Sequence, residues 1–568
     1  MRIVPLLREA LLRFAAGCFA LFLFASPLLA QRADPRPSEK CAIDGQVVNA
    51  VTGEPVKKAQ LILRQLTSRE SPYGTRTDAG GRFDLTDIEP GKYRLWVERN
   101  GFVRGEYGAR GPNRPGTILV LEPGQRLRGI VLRLLPQSVI TGQVFDEDGE
   151  PVPNVQIQAL QYSYVRGRRQ LTPAEQGTTN DLGEYRIHGL APGRYFISAI
   201  YATGRMQDLI ERFPGDGRGE SVFEESYAPT YYPGTNDPAS AMPIELSPGN
   251  QVRGIDLMLL RTPTVRIRGR VSSSASSRPA RNAIIILFPR DSARLGFFNR
   301  TATVQDPQGN FEIRGVPPGS YILYAQWGDG SARLPVDAWG PTIEGVNLVI
   351  TPNLEFSGRV RVEGRKDVNL NELRISLPSR DSPLNFAGDR VKPDGSFALQ
   401  NVAPDTYTVN VIGLRENLYV KSVRLGSEDV LETSLRLSSG GTTNQLEVLL
   451  SPGGGELEGV VVDDHQNAFN AATVVLVPDA RRRNQLHLYK TTSTDQYGRF
   501  LVRGIAPGEY KLFAWEDVES GAYQDPDFLG PFESLGQTVT ISEYSHQTLQ
   551  LKVIPAEDTP WSGKKKTP

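Results

Sequence analysis

This chain is short of cysteine, histidine and helical patterning, and its charges cancel. Two cysteines occur in 568 residues, Cys18 and Cys41. So few thiols exclude a disulfide-stapled scaffold, and each domain must hold together on its own apolar core. Lys plus Arg and Asp plus Glu both number 64, a formal net charge of zero. Short basic runs stand at 481–483 and 564–566. A nucleic-acid binder carries a basic excess or stripe, so no nucleic-acid partner is expected. Beyond residue 30 no apolar run approaches the roughly 20 residues of a spanning helix, so no membrane span is expected in the mature chain. No series of lipid-facing amphipathic strands follows either. Helical spacing is clear in one place, the segment 204–213, where Met206, Leu209, Ile210 and Phe213 follow it.

The first feature present is at the N-terminus. Arg2, Arg8 and Arg13 lead into an apolar run over 14–30 that ends in small residues. That order reads as a secretory signal over 1–30, cut after Ala30, with a linker at 31–40. The run of 17 residues sits at the short edge of a spanning helix, so retention as an anchor is the alternative. Export to the periplasm, the cell surface or the medium is expected. Cys41 is then the one thiol of the mature chain.

Glycine (56) and proline (42) are plentiful, as frequent turns between short strands require. They recur in a pattern. "GRFDLTDIEPGKY" carries Gly81, Phe83 and Tyr93. The same spacing returns as Gly183, Tyr185 and Tyr195, then Gly309, Phe311 and Tyr321, then Gly395, Phe397 and Tyr407, then Gly498, Phe500 and Tyr510. Upstream of each copy stands "GQV", "GRV" or "GVV", at Gly45, Gly142, Gly269, Gly358 and Gly459. Each of these glycines precedes its tyrosine by 48 to 53 residues, so one unit is repeated five times.

Inside a unit the apolar period is two. Val155, Ile157 and Ala159 share one strand face, and Gln156 and Gln158 share the other. Phe83 and Leu85 alternate likewise, as do Tyr93, Leu95 and Val97, with a Pro-Gly turn between the two strands. The motif is therefore a folding signature whose aromatics share a core. In the fourth copy Asp405 replaces the turn glycine, and tolerance of left-handed backbone by aspartate is expected to keep that turn. Short strands in this number predict antiparallel sandwiches. The boundaries read as 41–137, 138–262 with an insert at 205–237, 263–352, 353–452 and 453–555, then a disordered tail at 556–568.

The combination "ITGQVFDEDGEPVPNVQIQAL" with "TTNDLGEYRIHGLAPGRYFISA" resembles the carboxypeptidase regulatory-like domain. The resemblance implies an all-β fold of five tandem, seven-stranded, prealbumin-like sandwiches, related to Cna-B modules and the starch-binding-like fold. It says little about function, because the module accompanies many unrelated proteins. Some Cna-B relatives carry a Lys–Asn isopeptide bond. No lysine lies between Ser138 and Asn353, which excludes that bond from units two and three. Lys40 is a remote candidate in unit one.

No catalytic pattern accompanies the fold. A zinc peptidase of histidine–x–x–glutamate type needs a carboxylate three residues after a histidine. Ala191, Ala468, Lys490 and Leu549 stand there after His188, His465, His487 and His546. Nucleophile-elbow and phosphate-loop motifs are lacking too. The run from Asp146 to Glu150 reads as a hairpin turn rather than a calcium loop, since the twelfth residue is Ile157. The expectation is a non-catalytic structural or binding array, with no enzyme activity, cofactor or metal.

Its partners would be a polysaccharide or another envelope protein. The alternatives are a carbohydrate-binding protein and an accessory chain of a peptidase or glycosidase. Glycan contacts, if any, would fall on Tyr227, Tyr231 and Tyr232, or on Trp96 and Trp515, which alternation places opposite Tyr93 and Tyr510. The competing expectation is that these rings cover seams between units or simply pack within the sandwich.

Overall fold

The computed structural model describes residues 39–66, 71–201, 225–275, 278–290, 300–365, 368–379, 386–415, 417–438 and 445–556. The expected signal segment, most of the linker, the helix at 204–213 and nearly all of the tail lie outside them. The described chain is built of strands, with a four-residue α-helix and a few 3-10 turns. Its large hydrophobic clusters follow the repeats. Phe83 and Tyr93 share one, Tyr185 and Tyr195 the next, then Phe311 and Tyr321, Phe397 and Tyr407, Phe500 and Tyr510.

The first unit shows the plan. Cys41–Asn49 is the middle strand of one sheet, flanked by Arg82–Ile88 and Arg126–Leu134. The facing sheet runs Tyr73–Arg76, Gln60–Gln65, Gly91–Glu98 and Gly105–Glu106, with Leu119–Leu121 also on Gly91–Glu98. One expectation needs correcting. The sandwiches are not wholly antiparallel, because the first strand of every unit pairs in parallel with a strand near its end. The last strand crosses over from the other sheet and enters beside the first, so both run the same way.

The second repeated glycine has a steric cause. Gly45, Gly142, Gly269, Gly358 and Gly459 pair across the ladder with Phe83, Tyr185, Phe311, Phe397 and Phe500. A Cβ at Gly459 would lie 1.9 Å from the Leu549 carbonyl oxygen and 2.9 Å from the Phe500 ring. At Gly45 it would meet the Ile130 oxygen at 2.0 Å and the Phe83 ring at 2.9 Å. Each aromatic thus covers a bare stretch of backbone, and glycine and ring form one device.

Six residues after each motif glycine the backbone turns left-handed, at Asp87, Gly189, Gly315, Asn401 and Gly504. In every unit the ladder register slips next to that position. This is a β-bulge, which bends and twists the strand over the core. Glycine, asparagine and aspartate are the residues that take such a φ at least cost.

Asp405 departs from expectation. It does not adopt a positive φ. The strand after it, Thr406–Tyr407, stops after two residues. The Asp405 carboxylate instead accepts from the Thr406 amide at 2.7 Å, the Ser379 hydroxyl at 2.8 Å and Arg333 of unit three at 2.9 Å. A side chain that finds three donors holds the turn without left-handed geometry.

Candidate functional site

The units fold back on one another, with unit five against units one, two and four. The Gln496 side chain bridges to unit one twice. It donates to the Val120 carbonyl at 2.8 Å and accepts from the Val120 amide at 2.9 Å. Beside it Arg94 donates to the Ser493 hydroxyl at 2.7 Å, and Arg114 and Arg110 pair with Asp517 at 2.5 Å and Glu516 at 3.0 Å. The unit-two hairpin Gln156–Val165 and Arg168–Thr178 reaches across as well. Tyr164 near its tip packs against Phe528, and Arg166 donates to the Ser379 carbonyl of unit four at 3.2 Å. Tyr419 of unit four donates to Glu543 of unit five at 2.6 Å.

A cleft of about 800 Å³ lies where units one and five meet. Its unit-one wall carries Trp96 and the guanidinium groups of Arg94, Arg104, Arg110, Arg114 and Arg133. Its unit-five wall offers Thr491, Thr492, Ser520 and Tyr523. Four of the arginines are matched by Glu106, Glu98, Glu516 and Asp517. Arg133 has no ion-pair partner among the described residues. The charge of the cleft is therefore largely balanced. Hydroxyls, fixed guanidinium edges and one indole can hold a polyhydroxylated molecule better than a polyanion.

The expected aromatic contacts separate in space. Trp96 is half-buried in the cleft wall, with the Arg104 guanidinium 5.4 Å from its ring. Trp515 does lie on the face opposite Tyr510, but it is fully buried. Residues 516–535 fold over that face and build a second cluster, in which Trp515 stacks on Phe513 at 4.9 Å and meets Phe528 and Phe532. This corrects the view of Trp515 as an exposed platform, because alternation sets a strand face and not what covers it.

The tyrosine segment is corrected in the same way. Instead of an open loop it forms two short strands, Glu225–Ala228 and Thr230–Tyr231, paired to Leu260–Pro263 and to residues 198–199. Tyr231 is 1% exposed, enclosed with Leu160, Leu171 and Phe196. Tyr227 packs edge-on to Tyr201 and donates to Glu147 at 3.1 Å, and burial pushes its phenol up to about 12. Tyr232 is partly buried against the unit-two core. Only part of the Tyr232 side chain thus remains available to a ligand.

The remaining chemistry-bearing residues are dispersed. His188 is exposed on its strand. Cys41 is buried, its thiol donating to the Glu122 carbonyl at 3.0 Å. Lys40 pairs with Glu89. Asp146 accepts from the amides of Asp148 and Glu150, the pattern of a side-chain-capped hairpin turn. One grouping passed over in the sequence places His546 beside Glu456 and Glu458 on the outer face of unit five. Only sheet register brings these residues together.

The sequence profile of the carboxypeptidase regulatory-like domain matches residues 42–128 and 139–207. No curated protein matches the chain. Among solved structures, a streptococcal ancillary pilin is similar at 11% identity, over 55% of this chain and 100% of that one, with a TM-score of 0.20. The minor pilin of Streptococcus agalactiae is similar at 13% identity, over 40% and 98%, with a TM-score of 0.23. The major pilin of Bacillus cereus gives 11% identity, 55% and 99%, and a TM-score of 0.14. Superpositions this poor say nothing of how the units are arranged or what they bind.

Proposed function

We propose that this chain is an exported, non-catalytic structural protein in which five β-sandwiches lock into one closed body. The observation that supports the reading is the seam between the first and fifth units. A spacer whose units lie in line brings its ends no nearer to each other. Here residues some 370 positions apart exchange two hydrogen bonds through Gln496 and Val120. Ion pairs flank them, and the ring of Tyr164 braces the neighbouring unit. Partly buried bidentate contacts of this kind fix orientation more than they add affinity.

Small-angle scattering tests this. A closed body of this length has a radius of gyration of roughly 25–30 Å, against roughly 50 Å for five units in a row. The closed value is expected for the wild-type chain. A clear rise is expected in the triple variant Gln496→Ala, Arg114→Ala, Tyr164→Ala. A rod-like profile for the wild type would reject the reading.

The cleft supports a second reading, that the closed body holds a saccharide between units one and five. Trp96 and Arg133, which has no ion-pair partner among the described residues, are its motive. Loss of binding to an insoluble polysaccharide in both Trp96→Ala and Arg133→Ala, with melting unchanged, is the expected result. Retention in either variant would remove that residue from the site.

A further inference from the structure

We propose that Glu456, Glu458 and His546 form a zinc-binding site on the outer face of unit five. The middle strand of the outer sheet, Gly455–Val462, carries both carboxylates. Leu457 between them points into the core, so Glu456 and Glu458 share the outer face. His546–Lys552 runs parallel to this strand, with His546 directly opposite Glu456 and Thr548 opposite Glu458. Register alone therefore gathers a His and two Glu, a set of nitrogen and oxygen donors that zinc accepts.

The distances fit a shared ligand set as well as an ion pair. His546 Nε2 stands 3.4 Å from Glu458 Oε1 and 3.6 Å from Glu456 Oε1. Both separations exceed the usual reach of an N–H···O hydrogen bond, about 2.7–3.2 Å. Both match the edge of a tetrahedron whose ligands lie about 2.0–2.2 Å from zinc, an edge of roughly 3.3–3.6 Å. All three donor atoms fall within 4.8 Å of one another, so a small side-chain rotation closes the third edge.

Both carboxylates are also held by neighbours, Glu456 from behind. Arg503, on the strand beyond, donates to Glu456 Oε2 at 2.9 Å and leaves Oε1 toward His546. The Thr548 hydroxyl donates at 3.3 Å to Glu458 Oε1, the oxygen that also faces His546, and so fixes where that oxygen points. Hydrogen-bonded ligating carboxylates are a regular companion of metal sites, because they orient the first ligands. Two Glu against one Arg leave a local negative charge that a divalent cation offsets. Three protein ligands leave a fourth position for water or for a donor from another molecule.

The experiment is calorimetric titration of zinc chloride into the full chain, with cobalt(II) absorption as a second readout. One equivalent of zinc is expected to bind, and cobalt is expected to give the intense visible bands of four-coordination. His546→Ala and Glu458→Gln are each expected to weaken zinc by about tenfold or more, whereas His188→Ala leaves it unchanged. Melting of the metal-free variants checks their folding, and either variant suffices if the other is destabilised. Absence of zinc binding by the wild-type chain overturns the proposal. So does unchanged affinity in His546→Ala and Glu458→Gln.

Discussion

The Tyr510 hydroxyl donates to the Ala506 carbonyl four residues upstream, at 2.9 Å. Tyr93, Tyr195, Tyr321 and Tyr407 do the same to Glu89, Ala191, Pro317 and Ala403, at 2.7 to 2.9 Å. Each ring lies in its unit's core while its hydroxyl ties down the turn leading into the strand. This is why every repeat ends its motif in tyrosine and never in phenylalanine. A phenylalanine would fill the core equally well and leave a buried or part-buried carbonyl without its donor.

Substitution in unit two separates these contributions. Tyr195→Phe is expected to cost about 1 kcal/mol, the worth of one hydrogen bond. Tyr195→Ala is expected to cost about 3–5 kcal/mol, as for removal of a large buried aromatic. Denaturant unfolding of both variants measures the difference. Equal losses would mean that the hydroxyl carries the whole effect and the ring little of it.

Glycine 459 offers a steric test. Gly459→Ala drives a methyl group against the Leu549 carbonyl and the Phe500 ring, and a loss of about 3 kcal/mol or more is expected. Gly530→Ala meets nothing within 4 Å at an ordinary helical φ and is expected to be neutral or slightly stabilising. A neutral Gly459→Ala in thermal melting would refute the close approach.

Alkali should weaken the fold. Burial raises the phenols of Tyr195 and Tyr489 to about 12. An unfolded tyrosine titrates near about 10. The folded chain therefore holds protons that the unfolded chain releases, and stability must fall as pH rises between these values. The contribution is complete below pH ~10 and lost by pH ~12. Chemical denaturation from pH 8 to 12 is expected to show this slope, shallower in Tyr489→Phe.

Tyr231→Ser is expected to lower unit-two stability by about 3–5 kcal/mol, because its ring closes the small cluster on the outer sheet face. Calorimetric melting that leaves this variant unchanged would return Tyr231 to the surface and revive the glycan-contact expectation.

The sequence by itself determined the strands, their buried faces and the fivefold repetition. Those rest on local chemistry: alternation of apolar residues, Pro-Gly turns, and one spacing of glycines and aromatics that recurs five times. Phe83 and Tyr93 were legible as core partners for that reason. The tertiary structure alone decided what lies against each strand's second face. Trp96 and Trp515 occupy comparable places in their strands, yet only Trp515 is buried, because residues 516–535 return over it. Tyr231 is enclosed by a pairing with residues 198–199 that no local pattern announces. The seam at Gln496, and the meeting of His546 with Glu456 and Glu458, depend on which strands become neighbours. Contacts between residues tens or hundreds of positions apart leave no periodic trace, since each is made once by the folded chain.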